Sequence, residues 1–168
     1  MKGDCMAVNV DLFKKVMGNY PTGVTIVTTA DENGTPLGLT VNSFASVSLN
    51  PTLILWSIDK RVSTYDIFTN TDRFAVHVLA SDQGDLASLF ATRGVDRFGN
   101  SKWDWSEHKL PVLDGVAGVL QCKVFNRVEA GDHMILIGEV IDVQDFDKKP
   151  LLYHKRTFGE IPESFYQK

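Results

Sequence analysis

The chain has 168 residues, 43% of them hydrophobic and 23% charged, an ordinary composition for one domain that buries a substantial core. Its 17 Lys and Arg stand against 21 Asp and Glu, a formal charge of −4, so no overall positive field would gather nucleic acid or an anionic membrane. No run approaches the roughly 18 apolar residues of a membrane span, and residues 1–10 lack the apolar core of a secretory signal.

The spacing predicts a short helix first, with Asn9 as N-cap, Leu12, Phe13, Val16 and Met17 on one apolar face, and Gly18 as its stop. Strands then dominate. Thr22 to Thr29 is rich in β-branched residues, and Asp31-Glu32-Asn33-Gly34 is a turn. Pro36 to Ser48 returns as a second strand and Thr52 to Ile58 is a nearly continuous apolar third.

Val62 to Asn70 reads as a helix, with Ser63 and Asp66 in the form of a capping box. Arg73 to Leu79 is a strand, and Asp82 to Thr92 a helix that buries Leu86, Leu89 and Phe90. Arg93 to Asn100 is a polar loop, and the segment holding Trp103 and Trp105 carries no decisive pattern. Two long strands follow, Val116 to Val128 and His133 to Asp145, joined by Glu129-Ala130-Gly131-Asp132. Seven or so strands with a few short helices give a mainly β fold, an antiparallel barrel over residues 1–168, and not a doubly wound α/β sheet.

Absences narrow the chemistry. No GxGxxG follows a strand, no phosphate-loop motif exists, and no GxSxG elbow is present. His77, His108, His133 and His154 are scattered, so no metal site is expected. Cys5 and Cys122 lie far apart without CxxC spacing, which points to a reducing, cytoplasmic setting; Cys122 reads as a buried strand residue and Cys5 as part of a frayed terminus.

Several strings together carry more information than any one of them. They are Tyr20 to Thr28 (YPTGVTIVT), Gly38 to Pro51 (GLTVNSFASVSLNP), Leu53 to Ile58 (LILWSI), Phe74 to Leu79 (FAVHVL) and Ala130 to His133 (AGDH). In this order and spacing they resemble the short-chain flavin reductases, the reductase components of two-component flavin-dependent monooxygenases such as the 4-hydroxyphenylacetate and phenol hydroxylases. The resemblance covers residues 12–153. It implies an FMN-binding split β-barrel with Greek-key-like strands, FMN or FAD as cofactor, NADH or NADPH as hydride donor, a homodimer, and a separate monooxygenase served by diffusible reduced flavin.

It also implies the site. Thr22, Gly23, Thr40, Val41, Asn42, Ser43 and Ser46 would line the flavin, where short side chains and bare backbone let a ring with a polar edge lie close. Ser57 and Ile58 would continue that wall. Lys60, or Arg61, with Ser63 at a helix start would take the flavin phosphate. Asp132 would orient the turn that presents His133, the one catalytic assignment, beside the reacting rings.

Phe98 and Arg97 form a loop suited to an adenine and a pyrophosphate. His77 departs from the asparagine usual in the family, and is read here as a satisfied strand histidine. His154 and Arg156 resemble a stretch that approaches the cleft in relatives. Two rival functions share the fold: an electron carrier with permanently bound FMN, and a non-enzymatic flavin-binding barrel.

Overall fold

The computed structural model describes residues 7–167, so the expectation for Cys5 lies outside the described residues. Asn9 caps the first helix as predicted, its Oδ1 accepting from Leu12 N at 3.0 Å; the helix, α1, runs Val10–Asn19, one residue past Gly18. Its apolar face is another matter. Leu12, Phe13, Val16 and Met17 are all exposed and α1 buries nothing in this chain.

The strands follow as β1 (Thr22–Gly23), β2 (Thr25–Ala30), β3 (Pro36–Val41), β4 (Ala45–Leu49) and β5 (Thr52–Asp59). Two predicted strands are therefore each broken in two, at Val24 and at residues 42–44. Helix α2 (Tyr65–Asn70), strand β6 (Arg73–Val78) and helix α3 (Gly84–Ala91) come next. The undecided Trp103–Trp105 segment is β7, which pairs with β8 (Pro111–Leu113); β9 (Gly118–Ala130) and β10 (His133–Asp145) form the long hairpin. A small sheet of β1, β11 (Leu151–His154) and β12 (Thr157–Glu160) completes a chain of twelve strands among the described residues. The sequence predicts only seven or so because it fuses pairs and leaves β7, β8, β11 and β12 unassigned.

The main sheet has seven strands in the order β3-β2-β6-β9-β10-β5-β4, and every pairing in it is antiparallel. Its two edge strands, β3 and β4, are joined by only three residues, Asn42, Ser43 and Phe44. Laid flat, such a sheet would part those edges by about 29 Å, six steps of some 4.8 Å, whereas the linker spans at most about 14 Å. The sheet must curl until its edges approach. The result is a split barrel whose seam is bridged by residues 42–44.

Curling creates two cores. Inside lie Val27, Leu39, Ile54, Trp56, Ile58, Phe74, Val76, Cys122 and Leu136, closed off by Phe68 from α2. Trp56 meets Phe68 and Phe74 edge-on, with ring centroids 5.3 and 5.8 Å away. Outside, Ile26, Ala75 and Val119 pack under α3 and the β7–β8 hairpin, against Phe90, Leu110 and Leu113. Gly138 is needed in the wall, since a Cβ there would sit 2.5 Å from Phe74 Cζ and 2.9 Å from Cys122 Cβ. Cys122 is a buried free thiol, as predicted, and burial pushes it up to about 12. No helix among the described residues is long and apolar enough to cross a membrane.

Candidate functional site

The seam is the place where polar side chains from distant strands meet. Ser43 Oγ accepts from Ser57 N at 3.0 Å and donates to Ser57 O at 3.1 Å, which fastens the linker to β5. Asn42 beside it is exposed and its side chain makes no hydrogen bond among the described residues. Beyond Ser57, β5 ends at Asp59, which lies opposite His133 in the β10 register, and Lys60 N donates to Asp132 O at 3.0 Å. Ser43, Ser57, Lys60, Asp132 and His133 are thus brought to one rim of the barrel.

The β9–β10 connection is tighter than the four-residue turn predicted. Ala130 already pairs with His133, leaving Gly131 and Asp132 as the two turn residues, and Gly131 takes φ +62°. His133 Nδ1 lies 2.7 Å from Asp132 Oδ1. That contact holds the Asp132 carboxyl below its ordinary value, so the carboxylate accepts and Nδ1 carries the hydrogen. Nε2 is left for a ligand, on a side chain that is 40% exposed. Asp132 thus holds the imidazole directly, where the sequence reading has it orient the turn.

The structure corrects one feature of the predicted phosphate site and puts both of its cations in ion pairs. The capping box does not form: Val62 N bonds Asp59 O and Tyr65 N bonds Val62 O, so turns occupy residues 59–65 and Ser63 lies ahead of a helix with no side-chain cap. Nor is either cation free. Lys60 pairs with Glu129, which raises its ammonium and lowers the Glu129 carboxyl. Arg61 grips Asp59, with Nη2 to Oδ2 at 2.5 Å and Nε to Oδ1 at 3.0 Å, and the guanidinium holds the Asp59 carboxyl well below the usual carboxylate range.

Ser63 and Phe98 do meet, in a cleft of about 690 Å³ lined also by Arg61, Thr64, Arg93 and Arg97. Phe98 is half-buried and packs edge-on against Phe90 and Trp103, while Arg97 braces the loop by donating to Gly38 O and Thr92 O. Burial lowers the Arg97 guanidinium. The Thr64 hydroxyl in this cleft is buried without a partner.

Other predicted positions lie on the neighbouring strands. Thr40 is turned toward α3, its hydroxyl donating to Ala87 O at 2.7 Å, and Ile58 is buried in the inner core. Val41 packs against that same core, and its carbonyl accepts from Thr25 Oγ1. Ser46 is exposed on β4. Thr22 and Gly23 sit on β1 opposite Tyr153 and Leu152. A Cβ added to Gly23 would meet nothing within 4 Å, and the Thr22 hydroxyl is buried without a partner.

An orphaned hydroxyl, an unengaged amide at Asn42 and open space at Gly23 fit a planar group with a polar edge. His77 is fully buried, with Nδ1 3.0 Å from Ile26 O, but its Nε2 has no partner; the satisfied histidine predicted is only half satisfied. Sequence reasoning missed Lys14, Lys15, Tyr153 and Lys155, which line a cleft with Asn42 and Arg156; the one signal was a Lys-Arg pair between two short apolar stretches.

Residues 17–162 match the flavin reductase like domain. The chain belongs to this family. It is 47% identical over 127 residues to the reductase component of the flavin-dependent trigonelline monooxygenase of Acinetobacter baylyi, an alignment covering 76% of this chain and 41% of that relative, so the chain spans less than half of it. It is 40% identical to the NADH-dependent FMN reductase SmoA of Agrobacterium fabrum, over 89% of this chain and 84% of that one. Among solved structures, the NADH:FAD oxidoreductase SgcE6 of Streptomyces globisporus, in complex with NAD and FAD fragments, superposes with a TM-score of 0.86 at 34% identity, covering 92% of this chain and 93% of that chain. The rim of this flavin reductase-like barrel, with His133 at its edge, therefore lies in a fold shared with an enzyme solved with both cofactor types.

Proposed function

We propose that the chain is a single-domain NAD(P)H-dependent flavin reductase, taking hydride from NADH or NADPH and supplying FMN or FAD, once reduced, to a separate monooxygenase component. The observation that carries this reading is the rim itself: an imidazole oriented by Asp132 stands at the same barrel end as the Ser43–Ser57 junction, in a flavin reductase like domain. Bound flavin and dinucleotide supply the hydride chemistry, so the protein needs no nucleophile.

The chain's own residues do the rest. The Ser43–Ser57 bonds fix the linker so that Asn42 and the backbone around it keep their positions, which lowers the ordering needed when a ligand arrives. Asn42, Thr22 and the open strand at Gly23 supply the polar, uncrowded wall. The Asp132 carboxylate accepts from His133 Nδ1 and so fixes the orientation of the ring at the rim, leaving Nε2 to meet a ligand. The cleft with Phe98, Thr64 and Arg93 is proposed to take the adenine end of a larger flavin or dinucleotide. Ser46 and Thr40 have the weakest support as contacts, since one faces solvent on β4 and the other is bonded to α3.

The reading includes a homodimer. Its support is α1, whose Val10, Leu12, Phe13, Val16 and Met17 are exposed together on an amphipathic helix. A cytoplasmic setting is supported by Cys122, a free thiol held in its protonated state by burial. Anaerobic rapid mixing of NADH and NADPH with FMN- and FAD-supplemented protein tests the activity and settles donor and acceptor together. Saturable dependence of steady-state turnover on added flavin is expected; turnover indifferent to added flavin would instead favour a carrier with resident FMN. Light scattering that gave a monomer would remove the dimer from the reading.

A further inference from the structure

A cleft of about 500 Å³ opens beside the β7–β8 hairpin and shares no lining residue with the two clefts described above. Gln144 and Phe146, which line it, lie at the end of β10 opposite to His133. Roughly 35 Å of strand runs between Gln144 and His133. The volume suits a small organic molecule.

The first sign of a ligand is aromatic. Trp103 and Trp105 stand two apart on β7 and so share a face of the strand. Their rings form a corner, 80° between planes with centroids 5.2 Å apart. Trp103 Nε1 is taken by Phe98 O at 3.2 Å, which fixes that wall of the corner. Trp105 is 43% exposed and Phe146 47%, so a concave site leaves large ring surfaces open to water.

The second sign is charge. Lys102, Lys148, Asp104 and Asp114 all line this cleft, yet the ion pairs among the described residues are Lys60–Glu129, Arg61–Asp59, His133–Asp132 and Lys149–Glu163. Two cations and two carboxylates thus face one space without neutralising one another. Each carboxylate commits a single oxygen to backbone, Asp104 Oδ1 accepting from Trp105 N at 2.7 Å and Asp114 Oδ1 from Gly115 N at 2.8 Å. Lys148 Nζ donates only to Gly115 O. Behind them Gln121, 3% exposed, is clamped by Ser106 Oγ at its Oε1 and by Asp142 Oδ2 at its Nε2, so the polar floor is rigid.

We propose that this cleft binds a small zwitterion, a methylated ammonium joined to a carboxylate. Charges of both signs held apart in one cleft complement a molecule that carries both signs and no net charge. A methylated ammonium has few or no hydrogens to donate and sheds water readily, so it seeks ring faces, and the indole corner supplies them beside a carboxylate. Lys102 and Lys148 are left to meet the ligand's carboxylate. The site goes beyond the flavin reductase reading and does not depend on it.

The test titrates trimethylglycine into the full chain, following heat and indole fluorescence. Trp56 has no exposed surface, so a fluorescence change reports Trp103 and Trp105. Saturable binding is expected, with tetramethylammonium and acetate, which carry one charge each, at least about tenfold weaker. W105A should weaken trimethylglycine about tenfold and leave flavin-dependent turnover unchanged. Should W105A fail to fold, K102M keeps the test open, because Lys102 Nζ makes no hydrogen bond among the described residues. It should weaken trimethylglycine about threefold and spare tetramethylammonium. Titration without saturation would overturn the proposal, as would equal binding of trimethylglycine by W105A or K102M and the wild type. Tetramethylammonium as tight as trimethylglycine would overturn it too, by revealing a cation site with no use for a carboxylate.

Discussion

His77 and His133 sit near the middle and the end of the same barrel, and their surroundings make them different chemical groups. His77 lies on β6 with no exposed surface; one ring nitrogen meets the Ile26 carbonyl and the other meets nothing. Burial therefore drives its pKa down to about 4, and the ring is neutral at physiological pH. His133 stands at the start of β10, part-exposed, with a carboxylate against Nδ1 and Nε2 free. One imidazole is held neutral by apolar neighbours and the other is held by a carboxylate with its second nitrogen open. Position in the strand, and not residue type, decides which histidine has a nitrogen open to a ligand.

Acid is the strongest way to break this contrast. In the unfolded chain His77 titrates near its ordinary value, so stability should be constant above pH 6.5, fall as pH drops from there towards 4, and level off below. The depression corresponds to about 3 kcal/mol. Denaturant midpoints measured across pH should show the fall, and H77N should flatten it. A midpoint independent of pH between 6.5 and 4 would mean that His77 is not the buried neutral group described.

Next in size is His133→Ala, which should lower kcat/KM for the dinucleotide roughly tenfold to a hundredfold, about 1.4–2.7 kcal/mol. Flavin Kd and thermal midpoint should stay near wild type, because the side chain bears on no core residue. Unchanged turnover and KM would remove His133 from the mechanism. The smallest effect belongs to Asp132→Asn. It keeps a side chain of the same shape beside Nδ1 but removes the negative charge there, so a loss of roughly threefold to tenfold in kcat/KM is expected. A loss equal to that of His133→Ala would show that orientation, not charge, is what Asp132 supplies.

In the sequence both histidines border apolar residues, His77 within Phe74 to Leu79 and His133 just ahead of Met134 to Ile137. The strands themselves were legible, because β-branched and apolar residues mark β2, β5, β6, β9 and β10 with little ambiguity. The break between β3 and β4 was not. Asn42-Ser43-Phe44 contains neither Gly nor Pro, and the bend there comes from closure of the whole sheet, a non-local demand.

The helix start at Ser63 misled for a related reason. A serine three residues ahead of an acid satisfies the capping pattern, but the hydrogen bonds from Val62 to Asp59 and from Tyr65 to Val62 take that stretch into consecutive turns. Residues named from the Gly-Asp-His turn and the Ser43–Ser57 wall came together, while the side chains of Thr40 and Ile58 turn to α3 and to the inner core. The β11–β12 turn was opaque because Lys155 and Arg156 are poor turn formers, so nothing in composition announces a hairpin there.

The three-residue bridge from β3 to β4 has a mechanical consequence. It is a covalent strap of fixed length across the one gap in the wall, so the width of that gap is governed by bond geometry more than by how the interior packs. Repacking Trp56 or Phe74 can loosen the barrel without moving its mouth, whereas lengthening the strap by a single residue would let the mouth yawn while the interior stayed sound.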